Sequence, residues 1–141
     1  MIRVKNANPN NIINWVTKVG GIKKGQLVKE DTGATPVAAA HTGATLLGVA
    51  LETQATTGGV AVIYPIQGTV LEIDFKPDAT KVSCTAADLG TQFDMVVDGT
   101  TGEMVVDLDD TTGGYLILVG YGNDAKKGYF CVEAADCLLN I

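Results

Sequence analysis

Histidine and tryptophan each occur once, as His41 and Trp15, among 141 residues, and aromatic side chains make up only 6% of the chain. Any Ser-His or Cys-His catalytic group would therefore have to use His41. It stands beside a turn with no serine or cysteine motif near it and reads as a loop residue. Charge is also scarce, at 18% of residues, with a net charge of −6. The basic residues are scattered, and their pairs, Lys23-Lys24 and Lys126-Lys127, each adjoin a glycine. No basic groove of the kind that phosphates need is expected, and hence no nucleic-acid partner. No apolar run approaches the roughly 20 residues that cross a bilayer, so no membrane partner is expected either. Met1 to Lys5 leads into Asn-rich sequence, without the apolar core of a signal peptide. Cys84, Cys131 and Cys137 are an odd number without metal-ligand spacing. The expectation is no metal, no cofactor and reduced thiols in a protein assembled in a cytosol, with a Cys131–Cys137 disulfide as the alternative.

What is present is β-forming. Apolar residues reach 46%, with 17 glycines, and the chain breaks into short apolar segments separated by turn-formers. "QLVKE" (26–30), "TPVAA" (35–39), "TLLGVAL" (45–51), "GVAVIYPI" (59–66) and "TVLEIDF" (69–75) come first. "QFDMVV" (92–97), "EMVVDL" (103–108), "YLILVGY" (115–121) and "GYFCVEA" (128–134) follow. Each has strand length, and Asp-Thr-Gly, Thr-Gly-Gly, Asp-Gly-Thr-Thr-Gly and Gly-Asn-Asp stand between them. In "TVLEIDF", Glu72 and Asp74 alternate with Leu71, Ile73 and Phe75, which predicts a half-exposed strand. The best helix candidates are "NNIINWVTKV" (10–19) and a single turn in "TAADLG" (85–90). The expectation is an all-β fold: a compact sandwich or barrel of about nine to eleven short strands, with an extended N-terminal arm.

The chain also resembles itself. At an offset of 70, "TGATLLGVALETQATTGGVAV" (42–62) lies over "TGGYLILVGYGNDAKKGYFCV" (112–132) without a gap. Upstream, "KGQLVKEDTGATPV" lies over "LGTQFDMVVDGTTGEMVV" with some slippage. Two similar β-meander halves are expected, at about 23–66 and 88–134, within one domain spanning 20–141 after an arm at 1–19. Closing the halves on each other would remove exposed edges.

Several short motifs suggest chemistry. Asp31-Thr32-Gly33-Ala34 is the tetrapeptide of retroviral-type aspartic proteases, in which two aspartates share a proton. Here Lys29 and Glu30 precede it, and in its repeat counterpart, Thr100-Thr101-Gly102, the acid has moved to Asp98. A hairpin turn tolerates that freedom and a catalytic carboxylate does not, so the protease stays a remote alternative. "DLDD" (107–110), with Asp98 and Glu103, has the oxygen ligands calcium takes but not the spaced loop of a calcium motif, and reads as a solvated acidic turn. "TTGG" and "GYGND" lack the Lys-Ser/Thr of a phosphate loop. No catalytic, cofactor-binding or metal-binding residue is nominated, and no enzyme is expected.

The order "GGIKKGQLV … LLGVALETQATTGGVAVIYPIQGTVLEI", over about 20–75 with an echo in 90–134, resembles the capsid cement or decoration proteins of tailed bacteriophages. The resemblance implies a non-enzymatic β fold, commonly a homotrimer, on the outside of the virion head, where it bridges and stabilises major capsid protein subunits. This chain departs from the family by its longer N-terminal arm and its three cysteines. The arm, "MIRVKNANPNNIINWVTKV", holds the only tryptophan and five asparagines. Ile12, Ile13, Trp15 and Val16 are its candidate partner-binding residues, against the coat protein or a neighbouring subunit; the alternative is that Trp15 caps the domain's own core. From another class comes a glycan-binding β-sandwich, an adhesin or fibre module, for which Tyr121 with Asn123 and Asp124 is the best local cluster among Tyr64, Tyr115, Tyr121 and Tyr129.

Overall fold

The computed structural model describes residues 2–6, 13–16, 21–30, 34–36, 45–54, 60–65 and 69–138, and the side chains of all of these except residues 6, 13–16, 34–36 and 60–65. The fold is all-β. Among the described residues, eleven strands run in the order β1 (Arg3–Asn6), β2 (Ile13–Val16), β3 (Leu27–Glu30), β4 (Ala34–Pro36), β5 (Leu46–Ala50), β6 (Val60–Pro65) and β7 (Val70–Asp74), then β8 (Gln92–Val97), β9 (Met104–Asp107), β10 (Leu116–Gly122) and β11 (Lys127–Val132). Each of the nine apolar segments read from the sequence contains strand residues. The tenth segment, 10–19, contains a strand and not the helix its pattern suggested: Ile13–Val16 pairs antiparallel with β6. Asparagines are poor helix formers, and two isoleucines, a tryptophan and a valine suit a sheet. In 85–90 the single turn is present, a 3-10 turn at Ala86–Asp88 that Asp88 caps through the Thr85 N–H.

The strands form a six-stranded sheet ordered β1-β7-β11-β10-β8-β9 and a five-stranded sheet ordered β2-β6-β5-β3-β4. Without β1, the two orders are the same: β7 to β11 repeat β2 to β6 strand for strand. Each half departs from a plain meander at two steps: its first strand pairs with its last, and the strand after the first hairpin returns to pair with that hairpin's first strand. The local bonding repeats too. Gly25 N–H donates to Ala50 O and Ala50 N–H to Gln26 O, while Gly90 N–H donates to Leu118 O and Leu118 N–H to Thr91 O. Gly25 and Gly90 have φ of 84° and 83°, a left-handed conformation that glycine adopts without strain. This bonding equates Ala50 with Leu118, 68 positions apart, two fewer than the sequence alignment used.

The two sheets share one core. Leu27, Leu46 and Val49 of the smaller sheet pack in one cluster with Leu71, Ile73, Phe93, Leu116 and Phe130 of the larger, each no more than 2% exposed. Burying such side chains contributes about 1.5–3 kcal/mol each. The larger sheet curls until Phe75, just past β7, bridges Val106 of β9, with Lys76 N–H donating to Val106 O at 2.8 Å. Five of its strands therefore run round a near-closed ring, which covers the β9 edge. A C-terminal strap joins the sheets: after the 3-10 turn Ala134–Asp136, Cys137 bridges Leu46 in parallel, and Leu138 N–H donates to Leu46 O at 2.8 Å.

Candidate functional site

Of the nominated partner-binding residues, Ile12 lies outside the described residues. Ile13, Trp15 and Val16 lie on β2, their backbones paired with Ile63, Ala61 and Val60, at the edge of the five-stranded sheet. Their side chains lie outside what is described. The start of the 1–19 segment also joins a sheet, because Arg3 and Val4 of β1 pair with Glu72 and Leu71.

Asp31 and His41 lie outside the described residues. Glu30 pairs with Ala34, so Asp31-Thr32-Gly33 connects two neighbouring antiparallel strands. The topologically equivalent connection, between β8 and β9, shows what an aspartate does at such a place. Asp98 accepts from the Thr100 N–H at 3.2 Å and the Thr101 hydroxyl at 2.8 Å. These two bonds, the hydroxyl's first, hold its carboxyl below the usual range. Its backbone closes the hairpin, with Gly102 N–H donating to Asp98 O.

The acidic run 107–110 is engaged in the same way. Asp109 accepts the N–H groups of Lys81 at 2.9 Å and Thr80 at 2.7 Å, clasping the long connection after β7, and these bonds lower its carboxyl. Asp107 accepts from Asp109 N–H and lies 3.8 Å from Lys76 Nζ, and Asp110 accepts from Thr112 N–H. Among the described residues, no three histidine, cysteine, aspartate or glutamate side chains gather as a metal ion would require.

The Tyr121 cluster is likewise occupied. Asn123 bonds the Cys84 backbone on both sides of its amide, Oδ1 accepting from Cys84 N–H at 2.9 Å and Nδ2 donating to Cys84 O at 2.8 Å. Its side chain thus completes a two-bond bridge that a strand would otherwise supply. Tyr121 packs against the hydrophobic core. Cys84, Cys131 and Cys137 are free thiols, and burial pushes all three up, Cys137 to about 11. Thiols held in that state are poor nucleophiles at neutral pH.

Two acidic residues that the sequence reading did not single out have the most unusual surroundings. Glu72 alternates with core residues, yet it is only 2% exposed on the side that was expected to be open. Arg3 and Lys5 of β1 and Lys127 of β11 close over it: Arg3 Nε bonds Oε1, Lys127 Nζ lies 3.1 Å from Oε1, and Lys5 Nζ lies 3.1 Å from Oε2. Arg3 also reaches Asp74 at 2.9 Å. Burial alone raises the Glu72 carboxyl, but the Arg3, Lys5 and Lys127 bonds outweigh it and hold the group at about 2.

Asp94 is also 2% exposed, and neither of its carboxylate oxygens has a hydrogen-bond partner among the described residues. Burial first, then the charges of Asp110 and Asp136, push it up to about 6. The sequence signal was an acid in the middle of "QFDMVV", between Phe93 and Met95, both of which are core residues.

The grooves are shallow. One, of about 300 Å³, runs between β1 and β5 past Ile2, Val4, Gly25 and Val49. None of the described pockets brings a nucleophile, a base and an orienting group together. The arrangement offers clasped turns, a caged carboxylate and interlaced sheets. No protein-family model and no curated protein matches the chain.

Proposed function

We propose that the chain is a non-enzymatic structural protein of a tailed-phage head, which binds the outer capsid surface and stabilises contacts between major capsid protein subunits as a homotrimer. One observation carries the reading: three polar side chains that sequence motifs offered for chemistry, Asp98, Asp109 and Asn123, are spent on holding backbone. A chain built in this way is suited to resisting deformation. The resemblance of residues 20–75 to cement proteins supplies the partner, and β2 at a sheet edge gives Trp15 and its neighbours a place from which to reach one. The glycan reading is not favoured, because Asn123 is already committed to Cys84 and Tyr121 to the core.

The test is the protein's fate on purified particles. Stoichiometric presence on mature heads, with release of coat subunits at lower temperature when it is withheld, is the expected result; absence from mature heads overturns the reading. Deleting residues 1–16 would remove two strands, so the contribution of the N-terminal segment is better tested by Trp15→Ala. The variant should fold and lose at least about tenfold in particle affinity, as truncation of a buried aromatic anchor does. Undiminished decoration removes Trp15 from the interface.

A further inference from the structure

A group of acidic residues surrounds the root of the C-terminal strap. Asp94 stands on β8, and directly opposite it in register on β9 is Asp107, which is paired with Lys76 at 3.8 Å. Asp110 lies in the loop after β9, and its backbone carbonyl accepts the Asp94 N–H at 3.0 Å. Just before β10 stands Tyr115, fully buried, whose hydroxyl is pushed up by burial and by Asp94 and Asp136. From the end of β11 come Glu133, which accepts from Gln92 Nε2 at 2.9 Å, and Asp136 in the 3-10 turn. That turn is anchored by Glu133 N–H to Tyr115 O at 2.8 Å and leads directly into the Cys137–Leu46 bridge.

A buried carboxylate without a hydrogen-bond partner is costly, and like charges around it raise the cost. Two outcomes relieve it: the group takes a proton, or the elements carrying the other charges move away. We infer that Asp94 is a proton-operated latch: neutral, it lets the turn 134–136 and its strap seat against β5, and ionised, it repels Asp110 and Asp136 and loosens the strap from Leu46. The raised Asp94 carboxyl, at about 6, puts the change in the mildly acidic range. The latch is independent of the capsid reading and holds whatever the protein binds.

The test is amide hydrogen exchange at pH 5 and pH 8, expressed as protection after correction for the intrinsic rate. Protection of the Leu138 amide should fall by at least about tenfold between pH 5 and pH 8, the ratio that one unit of displaced titration produces. In Asp94→Asn it should be the same at both pH values. The Ala50 amide, bonded to Gln26 O at 2.9 Å, serves as the control and should hold its protection throughout. Equal protection at Leu138 in the native chain, a pH dependence that survives Asp94→Asn, or a loss spread evenly over both sheets each overturns the latch. Should Asp94→Asn not fold, Asp136→Asn replaces it. Removing one repelling charge must then move the midpoint of the Leu138 transition to lower pH, and an unmoved midpoint overturns the proposal.

Discussion

Glu72 and Asp94 both alternate with core residues along their strands, and both are almost completely hidden. Their surroundings are opposite: three cations close over Glu72, whereas Asp94 meets other acids. The sign of each contribution follows from linkage. The folded state holds the Glu72 carboxyl near 2 against an ordinary 4.5, so its stabilisation is complete above about pH 4.5 and is lost as pH falls towards 2. The folded state holds Asp94 near 6 against an ordinary 3.8, so the folded chain binds that proton more tightly and stability declines as pH rises from about 4 to 6. Together the two groups draw the stability maximum towards about pH 4–5. Asp94→Asn should therefore stabilise the protein at pH 8 by about 2 kcal/mol and change little at pH 4, as read by urea denaturation at the two pH values. Glu72→Gln should cost about 1–2 kcal/mol at pH 7. Part of the difference from native should disappear in 1 M salt, because the covering cations are half in solvent.

The elements were mostly legible because a strand declares itself by length and turn-formers alone. "QFDMVV" matched β8 residue for residue, and "LLGVA", buried at all five positions, was visible as an unbroken apolar run. The offset between the halves was less legible. Side chains on a strand alternate with a period of two, so a slip of two residues returns every side chain to its original face. Apolar phase could not separate an offset of 70 from one of 68, and only the hydrogen bonds of Ala50 and Leu118 did. Strand β1 was missed because "RVKN" is polar on the face that covers Glu72, a partner 69 residues away. Asp98 and Asp109 were read as turn residues, but no motif said which backbone N–H groups they would accept. Two substitutions test individual elements. A Cβ on Gly114 would lie 2.7 Å from the β8 backbone at Gln92 and Phe93, so Gly114→Ala should cost about 2 kcal/mol or more, while Gly99→Ala, with nothing within 4 Å, should stay within about 0.5 kcal/mol. Asn123→Ala should cost about 1–2 kcal/mol and raise hydrogen exchange at the Cys84 amide, leaving that at Phe75 unchanged.

For the molecule as a whole, the two halves share a plan and differ in closure. The larger sheet rolls until Phe75 meets Val106, and the smaller has β2 and β4 as its outermost strands. The long connections between β7 and β8 and at the C-terminus are tied down by single side-chain or backbone clasps: Asp109, Asn123 and the Leu138 amide. The order in which pairings become possible during synthesis follows from this plan. Both hairpins of each half join neighbours in the chain, so they can form as soon as they are made. Strands β1 and β2 cannot, because Val4 waits for Leu71 and Asn14 for Val62. These two strands are made before their partners and are among the last to find their places, and until then "INWV" is an unpaired β-forming segment. A nascent chain stalled before residue 60 should therefore leave the backbone amides of 13–16 open to hydrogen exchange, and one extended past the second half should protect those paired with β6. In crowded synthesis, a neighbouring copy's β6 is as good a partner as its own, which makes strand exchange the misassembly to look for when the protein is overproduced.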